Sequence, residues 1–285
     1  MTVDGVVVVD KPAGWTSHDV VARLRPLAGT RRVGHAGTLD PAATGVLVVG
    51  VGRATRLLGP LARGDKEYLG TIRLGVRTST DDAQGAVLGE TDASGVSDDA
   101  LAAAIAGWRG ERDQVPAAVS AVKVDGVRAY RLARAGTPVE LSPRRVTIDA
   151  FEVLARRGAD VDVRVVCSSG TYVRALARDV GTALGVGAHL AALRRTRVGP
   201  FDLTSAHPMD ELATEFAVLP LAAVVRAAFP AVEVDATAAQ AISHGQRLEA
   251  ATSGPGPVGL FGPDGAVLAL AEPADGRWRY LVVLS

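Results

Sequence analysis

The apolar run VLVVGV, residues 46–51, is the feature that most restricts how this chain can fold. Six consecutive residues without a polar side chain predict a buried strand. The run follows directly on GHAGTLDPAATG, residues 34–45, in which Asp40 stands among Gly, Ala, Thr and Pro. The chain therefore places one carboxylate in a tight loop at the entrance to a buried strand. Taken alone, an Asp before Pro in such a loop is commonly a turn residue.

The segments around this loop alternate between strand and helix patterns without a regular βαβ repeat. Residues 6–12 predict a short strand, and residues 16–29 predict a helix that begins at its N-cap, Thr16. Residues 66–76 alternate as a half-buried strand, with Tyr68 on its inner side. Such an alternation predicts an α+β domain built around one sheet.

Six further segments complete the pattern before the composition changes. In chain order they are a Ser, Thr, Asp and Gly-rich loop at 78–97, a helix from Ser97 to Gly110, a helical segment at 127–136, two strands joined by the RRGAD turn at 156–160, and a helix over 171–185.

The composition changes near Phe229 and Pro230, where short strands and Gly/Pro turns begin. The PDG triplet at 263–265 is a hairpin signal. We therefore expect a first domain at 1–228 and a small β domain at 229–285, which is short enough to depend on its neighbour for stability.

Composition excludes several classes of protein. No apolar run approaches the roughly 18 residues needed to cross a bilayer, and the N-terminus lacks a basic segment followed by an apolar core, so we expect a cytoplasmic protein. Cys167 is the single cysteine and lies in an alternating run, which is typical of a buried small residue. No cluster of His and Cys with metal-ligand spacing is visible, and we expect no metal site.

The charges do not by themselves identify a partner. The 31 basic and 31 acidic residues cancel, which removes the usual argument from overall charge to nucleic acid. The basic residues are almost all Arg and concentrate at 23–32, 144–145, 156–157 and 194–197. Arg can hold two phosphate oxygens at once, but an ordinary solvated surface explains the clusters equally well.

A second informative stretch is SSGTYVRALARD, residues 168–179. With Thr171 as N-cap, Arg174 lies in the first turn of a helix, where the helix dipole disfavours a cation. A carboxylate from elsewhere in the chain or a bound phosphate would compensate. The alternative is an ordinary ion pair with a nearby Asp, and Arg178 lies one turn further along the same face.

Together, six stretches resemble the bacterial TruB family of tRNA pseudouridine synthases. In order they are DKPAGWTSHDVV, GHAGTLDPAATGVLVVGVGRATR, KEYLGTIRLG, SAVKVDGVRAYRLAR, SSGTYVRALARDVG and GAHLAALRRTRVGPF. The resemblance implies an α+β pseudouridine synthase fold with a mixed, mostly antiparallel sheet, followed by a PUA-like β domain that binds RNA. It also implies conversion of uridine to pseudouridine at position 55 in the T loop of tRNA, by a monomer without cofactor, metal or obligate protein partner.

The same resemblance assigns roles by position. It implies that Asp40 is the catalytic carboxylate, that Arg174 pairs with it, and that Tyr68 packs on the target base and is a candidate proton acceptor. The substrate contacts that it implies fall on five residues: Lys11, His35, Gly37, Tyr172 and Leu193. Val119 departs from the family pattern, in which many members have an aromatic residue or His.

Each assignment has a structural alternative. Tyr68 can be a strand aromatic that only stacks, and Leu193 can be an ordinary core residue. His35 can be a loop residue bonded to backbone, and Lys11 can be a surface residue after a strand. A nucleotide-binding P-loop is disfavoured, because Gly45 is followed by Val rather than by Lys.

Two other functions compete with the isomerase. An RNA-binding chaperone would need to bind tRNA but would not need catalytic activity. A glycosidase-like hydrolase would use Asp40 with Glu67, but Glu67 adjoins Tyr68 on an alternating strand and should face the opposite side of the sheet. The residues also leave open whether Asp40 attacks C1′, attacks C6, or removes the C2′ proton to form a glycal.

Overall fold

The computed structural model describes residues 3–117, 123–124, 127–128, 141–250, 254 and 256–284. The chain divides into two compact units, and each combines segments that are distant in sequence. Unit 1 consists of residues 1–40, 46–62 and 199–285, and unit 2 consists of residues 41–45 and 63–198. The domain boundary predicted at residue 228 stays a prediction.

Unit 1 begins with the predicted strand and helix. Its elements up to residue 62 are β1 (Gly5–Lys11), α1 (Ser17–Leu27), β2 (Val33–His35), β3 (Thr44–Val51, of which Thr44 and Gly45 belong to unit 2), a 3-10 helix (Gly52–Leu57) and α2 (Leu58–Ala62). Helix α1 begins as predicted, because the Thr16 side chain accepts from Asp19 N and the Asp19 side chain accepts from Thr16 N. Strand β3 lies between β1 and β2, and its apolar residues form a core with α1.

The remainder of unit 1 follows residue 199. Its elements are β13 (Phe201–Asp202), a 3-10 helix (Leu203–Ser205), α5 (Met209–Thr214), β14 (Leu219–Pro220), α6 (Leu221–Ala228), β15 (Ala231–Glu233), α7 (Ala236–Ser243), β16 (Val258–Phe261), β17 (Val267–Ala274) and β18 (Arg277–Val283). Strands β15 to β18 form a sheet in that order, with a core that includes Leu260 and Trp278. The predicted PDG turn joins β16 to β17, and helix α7 is an addition that the turn-rich composition did not predict.

Unit 2 contains the larger part of a mixed sheet. Its elements are β4 (Lys66–Leu74), β5 (Val76–Thr78), β6 (Val87–Glu90), α3 (Asp98–Ala106), β7 (Gly110–Gln114), β8 (Lys123–Val124), β9 (Val127–Arg128), β10 (Arg144–Arg157), β11 (Asp160–Cys167), α4 (Val173–Ala183) and β12 (Ala188–Val198). The strand order is β3, β12, β4, β11, β10 and β7, with residues 44–45 of β3 at its edge. Only the β3–β12 pair among these described strands is parallel, which confirms the predicted α+β class with a mostly antiparallel sheet.

Helix α4 packs against β12 and β4 at very close range. A Cβ atom at Gly181 would lie 2.2 Å from the backbone nitrogen of Ala188, so this crossing requires glycine. The inward positions Val173, Leu176 and Val180 are buried as predicted. The buried face and the close approach at Gly181 thus fix the helix against the sheet.

Several sequence predictions in unit 2 were wrong in detail. The expected loop at 78–97 contains strand β6, which pairs with β5. Helix α3 ends at Ala106, earlier than the predicted Gly110. Val127–Arg128 is a strand rather than the start of a helix. The rest of that predicted helix, and Val119, lie outside the described residues.

None of the helices in the described part of the chain has both the length and the apolar composition that crossing a membrane requires. Cys167 is fully buried as predicted, and burial raises the pKa of its thiol to about 11.

Candidate active site

Asp40 lies in the loop between β2 and β3, and the backbone directly before it is clamped by helix α1. Leu39 N donates to Ser17 Oγ at 2.9 Å, and the Ser17 hydroxyl donates to Leu39 O at 3.2 Å. Ser17 is only 2% exposed. Because both bonds act on the residue before Asp40, Ser17 restricts where that carboxylate can point. Sequence reasoning did not identify Ser17, although it is the first residue of α1 after the cap.

Lys11 is an internal residue at the end of β1. Its side chain is fully buried, and Nζ donates to Pro12 O at 2.8 Å and to Trp15 O at 2.7 Å. The ammonium therefore closes the turn between β1 and α1, and the alternative of a surface lysine was wrong. Its predicted substrate contact stays a prediction.

His35 and Gly37 lie directly before Asp40 in the chain, at the end of β2 and in the loop that follows it. His35 is the last residue of β2, is half-buried, and pairs with Val49 of β3. Gly37 has a φ of +98°, a left-handed conformation that favours glycine. Both residues thus shape the loop before Asp40, and their predicted contacts with RNA stay predictions.

Tyr68 lies on the inner face of β4, as its alternation predicted, and is 7% exposed. Its cross-strand neighbours on the same face are Val165 of β11 and the buried Arg195 of β12. Lys66 lies two residues earlier on this face, and its Nζ donates to Gly64 O at 2.6 Å. Burial, with the nearby Arg195 guanidinium, lowers the pKa of Lys66 to about 8. Two cationic side chains thus accompany Tyr68.

Leu193 shares this inner face. It pairs with Gly70 of β4, one position along the face from Tyr68. A Cβ atom at Gly70 would lie 3.3 Å from Leu190 Cδ1 and 3.6 Å from Leu193 Cδ1. Leu193 is half-buried, so part of its side chain remains accessible beside Tyr68. Its predicted place in the uracil pocket stays a prediction.

Glu67 faces away from Tyr68, as the strand alternation predicted. Its carboxylate accepts from Arg164 Nη2 at 2.7 Å and from Thr196 Oγ1 at 3.0 Å. Burial raises the pKa of Glu67, but the hydrogen bonds from Arg164 and Thr196 outweigh it and hold the pKa below its usual value. The hydrolase hypothesis needs Glu67 as its second carboxylate. Glu67 is instead hydrogen-bonded to Arg164 and Thr196 on the face of β4 opposite to Tyr68.

Arg174 is buried near the start of helix α4, and a carboxylate from elsewhere in the chain accompanies it. Its Nη1 donates to Thr80 O at 3.0 Å and lies 3.6 Å from Asp82 Oδ2. This confirms one of the two compensations expected for a cation in a first helical turn. The further pairing with Asp40 stays a prediction.

The predicted N-cap of helix α4 was wrong. The cap is Tyr172, whose side chain makes no capping bond, and Thr171 Oγ1 instead donates to Ser168 O at 3.0 Å. Both backbone groups of Tyr172 bond to the side chain of Gln114, at the end of β7. Gln114 Oε1 accepts from Tyr172 N at 2.8 Å, and Gln114 Nε2 donates to Tyr172 O at 3.1 Å.

A second arginine ties the same polar loop to helix α4. Arg178 forms ion pairs with Asp81 Oδ2 at 3.2 Å and with Asp179 Oδ1 at 2.7 Å, and it donates to Val115 O at 2.8 Å. Burial holds the pKa of Asp81 above its usual value, although Arg178 and Arg174 act in the opposite direction. The ordinary ion pair expected as an alternative thus exists at Arg178. The adjacent acids Asp81 and Asp82, in the polar stretch at 78–97, are the sequence signal that could have identified this contact.

Gly45 explains one of the small residues after Asp40. It has a φ of +98°, and a Cβ atom there would lie 2.1 Å from the carbonyl oxygen of Arg195. The absence of a side chain at Gly45 therefore admits the backbone of the neighbouring strand β12. The parallel pairing of Thr44 and Gly45 with Arg194 and Arg195 depends on this contact.

The arginine clusters differ in how their charges are used. Those of unit 2 are largely ion-paired with acids of the same unit: Arg145 with Glu111, Arg156 with Asp98, Arg157 with Asp162, and Arg197 with Asp65. In the cluster at 23–32, Arg23, Arg25 and Arg31 form no ion pair with any residue that the structure describes. That cluster is the better match to the phosphate contacts expected from the sequence.

One concavity of unit 2 is separate from these residues. It has a volume of about 980 Å³ and is lined by residues such as Leu74, Glu90, Asp98 and Arg156, with none of the predicted site residues among them. Across the described ranges, no group of three or more His, Cys, Asp and Glu side chains lies close enough together to hold a metal ion.

Comparison with known proteins assigns the class. Residues 25–173 match the family described as TruB family pseudouridylate synthase (N terminal domain). Residues 174–222 match the tRNA pseudouridylate synthase B C-terminal domain, and residues 229–285 match tRNA Pseudouridine synthase II, C terminal. An α+β sheet domain of this kind with these matches defines a pseudouridine synthase, which is an isomerase.

The relatives extend over the whole chain. A tRNA pseudouridine synthase B of Thermobifida fusca is 59% identical, and the match covers 99% of each chain. One from Streptomyces griseus is 53% identical over 100% of this chain and 98% of that protein. A chain in the solved structure of an H/ACA RNP bound to a substrate RNA containing 2′-deoxyuridine has a TM-score of 0.74 and 27% identity, covering 99% of this chain and 84% of that one. The chain belongs to the TruB family.

Proposed function

We propose that this protein isomerises uridine to pseudouridine at position 55 in the T loop of tRNA, with Asp40 as the catalytic carboxylate. The observation that carries the proposal is the nearly full-length match to relatives named tRNA pseudouridine synthase B. The protein acts in the cytoplasm as a monomer and needs no obligate protein partner.

The reaction breaks the bond from ribose C1′ to uracil N1, turns the base, and joins C1′ to C5. The C5 proton is lost and N1 gains one, so atoms balance without a redox partner or an energy source. An ionised carboxylate beside the glycosidic bond can start the reaction in three ways. Asp40 attacks C1′, attacks C6, or removes the C2′ proton.

Arg174 is proposed as the charged partner of Asp40. A cation beside a carboxylate in a dry pocket favours its ionised form. Support comes from the burial of Arg174 and from Thr80 and Asp82, which hold its guanidinium in one position. A preorganised cation needs little rearrangement when the substrate arrives.

Tyr68 is proposed to stack on the target base and to accept the C5 proton, directly or through a water. Leu193 and Tyr172 line the uracil pocket beside it, because Leu193 shares the inner face of the sheet and Tyr172 begins the helix that packs on this sheet. Reaching the base requires the nucleotide to rotate out of the T loop. His35, Gly37 and Lys11 shape the side of the pocket that receives the flipped-out bases.

The phosphates of the T stem-loop are proposed to meet the Arg cluster at 23–32. Support comes from the exposure of Arg23 and Arg31, which form no ion pair with the described residues, whereas most arginines of the unit 2 clusters do. Affinity for tRNA should therefore fall steeply with salt. The C-terminal PUA-like sheet supplies further RNA contacts.

The test is tritium release from a tRNA transcript labelled at uracil C5, with no added metal or nucleotide. Wild type and the Asp40→Asn variant are compared, and a transcript with cytidine at position 55 controls for site. Release by wild type alone, abolished by the cytidine transcript, is the expected result. No release by wild type while tRNA still binds would overturn the proposal in favour of an RNA chaperone, and free uracil would indicate a hydrolase.

A further inference from the structure

Gln114 is a buried amide that the proposed mechanism does not use. It is the last residue of β7 and is 1% exposed. A buried amide costs free energy unless its donor and acceptor are both satisfied. Both are satisfied by one residue, Tyr172, through its N–H and its carbonyl. Residues 114 and 172 are 58 positions apart, so the contact is purely tertiary.

The contact falls where helix α4 begins. Tyr172 is the N-cap, and its own side chain makes no capping hydrogen bond. Its carbonyl accepts the first helical bond, from Leu176 N at 3.1 Å, and shares that position with Gln114 Nε2. The amide oxygen of Gln114 thus satisfies the N–H of the N-cap residue, one of the donors at the helix start that has no partner within the helix.

Val115, the residue directly after β7, adds a second tie. Val115 O accepts from Arg178 Nη2 at 2.8 Å. The end of β7 therefore contacts helix α4 at residues 172 and 178, on either side of Arg174. Two ties flanking one residue fix both the height and the rotation of the helical turn that carries it.

We infer that Gln114 is a positioning residue for the isomerisation, acting through the backbone of Tyr172 to place the Tyr172 ring and the Arg174 guanidinium. This inference rests on the proposed function. Gln114 itself does not touch substrate. Its loss should lower the rate of the chemical step while leaving the grip on tRNA in place, because small displacements of groups that act in the transition state cost far more rate than affinity.

The experiment compares three variants with wild type in single-turnover tritium release on the labelled tRNA transcript. Gln114→Met keeps the volume and removes both hydrogen bonds. Gln114→Asn keeps a polar group but is one methylene too short to reach Tyr172. Arg109→Met is the matched control, because Arg109 also makes two side-chain bonds to a backbone group of unit 2. Both go to Phe151 O of β10, at 3.1 and 2.8 Å, and neither is made to helix α4.

The expected result is a loss of about tenfold to a hundredfold in the single-turnover rate for both Gln114 variants, with the Kd for tRNA changed by less than about threefold. Arg109→Met should retain the wild-type rate even if its Tm falls as far as the Tm of the Gln114 variants. All assays are run well below the lowest Tm, so that loss of stability alone does not lower the rate.

Two results would overturn the inference alone. One is an active wild type together with Gln114 variants at the same rate as the Arg109→Met control. The other is a loss that appears in Kd rather than in the rate. A wild type that releases no tritium would overturn the proposed function, and the inference with it.

Discussion

The loop that carries Asp40 and the helix start that carries Arg174 are held by different kinds of interaction. Before Asp40, neutral groups do the holding, namely the Ser17 hydroxyl and the backbone of Leu39. Around Arg174, a charged partner is added to the neutral ones, because Asp82 lies beside a guanidinium that also donates to Thr80 O. A hydroxyl adds no second charge that would compete with the predicted catalytic carboxylate. The cation, by contrast, gains from a carboxylate, because the helix dipole opposes it.

The largest expected effect is at Asp40. Asp40→Asn keeps the size of the side chain but removes the charge, and we expect a loss of about a thousandfold or more in kcat with tRNA affinity within a few-fold. Glu67→Gln is the matched control, since its carboxylate faces the opposite side of the sheet, and it should stay active. The measurement is tritium release with a parallel filter-binding assay. Substantial turnover by Asp40→Asn would remove Asp40 from the centre of the mechanism.

The charged side of the comparison is tested next. Arg174→Ala should lower kcat by about a hundredfold, because the variant loses a preorganised cation in a dry site. Arg197→Ala is the control. Arg197 pairs with Asp65, and its cross-strand neighbour is Glu67, which faces away from Tyr68, so its loss should have little effect on kcat. Steady-state kinetics on the tRNA transcript measure both. If Arg174→Ala retains the wild-type rate, the proposed pairing with Asp40 is wrong.

The neutral side should respond more gently. Ser17→Ala leaves the backbone groups of Leu39 without their partner, and we expect about 1–2 kcal/mol less stability with roughly a tenfold loss in kcat. Ser205→Ala, which removes a single hydroxyl bond to Asp202 O, controls for loss of a serine hydroxyl in the same unit. Urea unfolding and tritium release are measured on both. Equal rates for the two variants would mean that Ser17 does not help to place Asp40.

The smallest expected effect concerns pH and Asp81. Because burial raises the pKa of Asp81 in the folded state above its usual 3.8, its stabilising contribution is present below that value and is lost as the pH rises through the folded pKa. Asp81→Asn lacks this loss and tolerates the φ of +58° at this position. The free energy of unfolding of the variant, relative to wild type, should therefore be larger at neutral than at acid pH.

The control for this pH effect has the opposite sign. Hydrogen bonds from the backbone and side chain of Ser94 lower the pKa of Asp92, so its contribution is present at neutral pH and lost on acidification. The free energy of unfolding of Asp92→Asn, relative to wild type, should thus be smaller at neutral pH than at acid pH. Urea unfolding at both pH values measures these differences. If the stability difference from wild type changes with pH in the same direction for both variants, the assignment is wrong.

The sheet shows where sequence patterns worked and where they did not. Strand β4 was predictable because Lys66, Tyr68 and Ile72 are buried and alternate with half-buried or exposed residues. Strand β12 was not recognised as a strand, although it lies between β3 and β4 in the sheet. Register shifts at Leu190/Ala192 and Arg195/Arg197 break its two-residue period, so its buried and exposed positions do not alternate.

The sequence by itself determined what depends on neighbours along the chain. The capping box of α1, the buried strand β3, the inner side of Tyr68 and the six family motifs all follow from residues a few positions apart. Only the tertiary structure decided the partners of the site residues. Arg174 meets Thr80 across 94 positions, and the backbone of Tyr172 meets Gln114 across 58. Buried polar groups must find partners wherever the fold brings them, and local patterns carry no record of that choice.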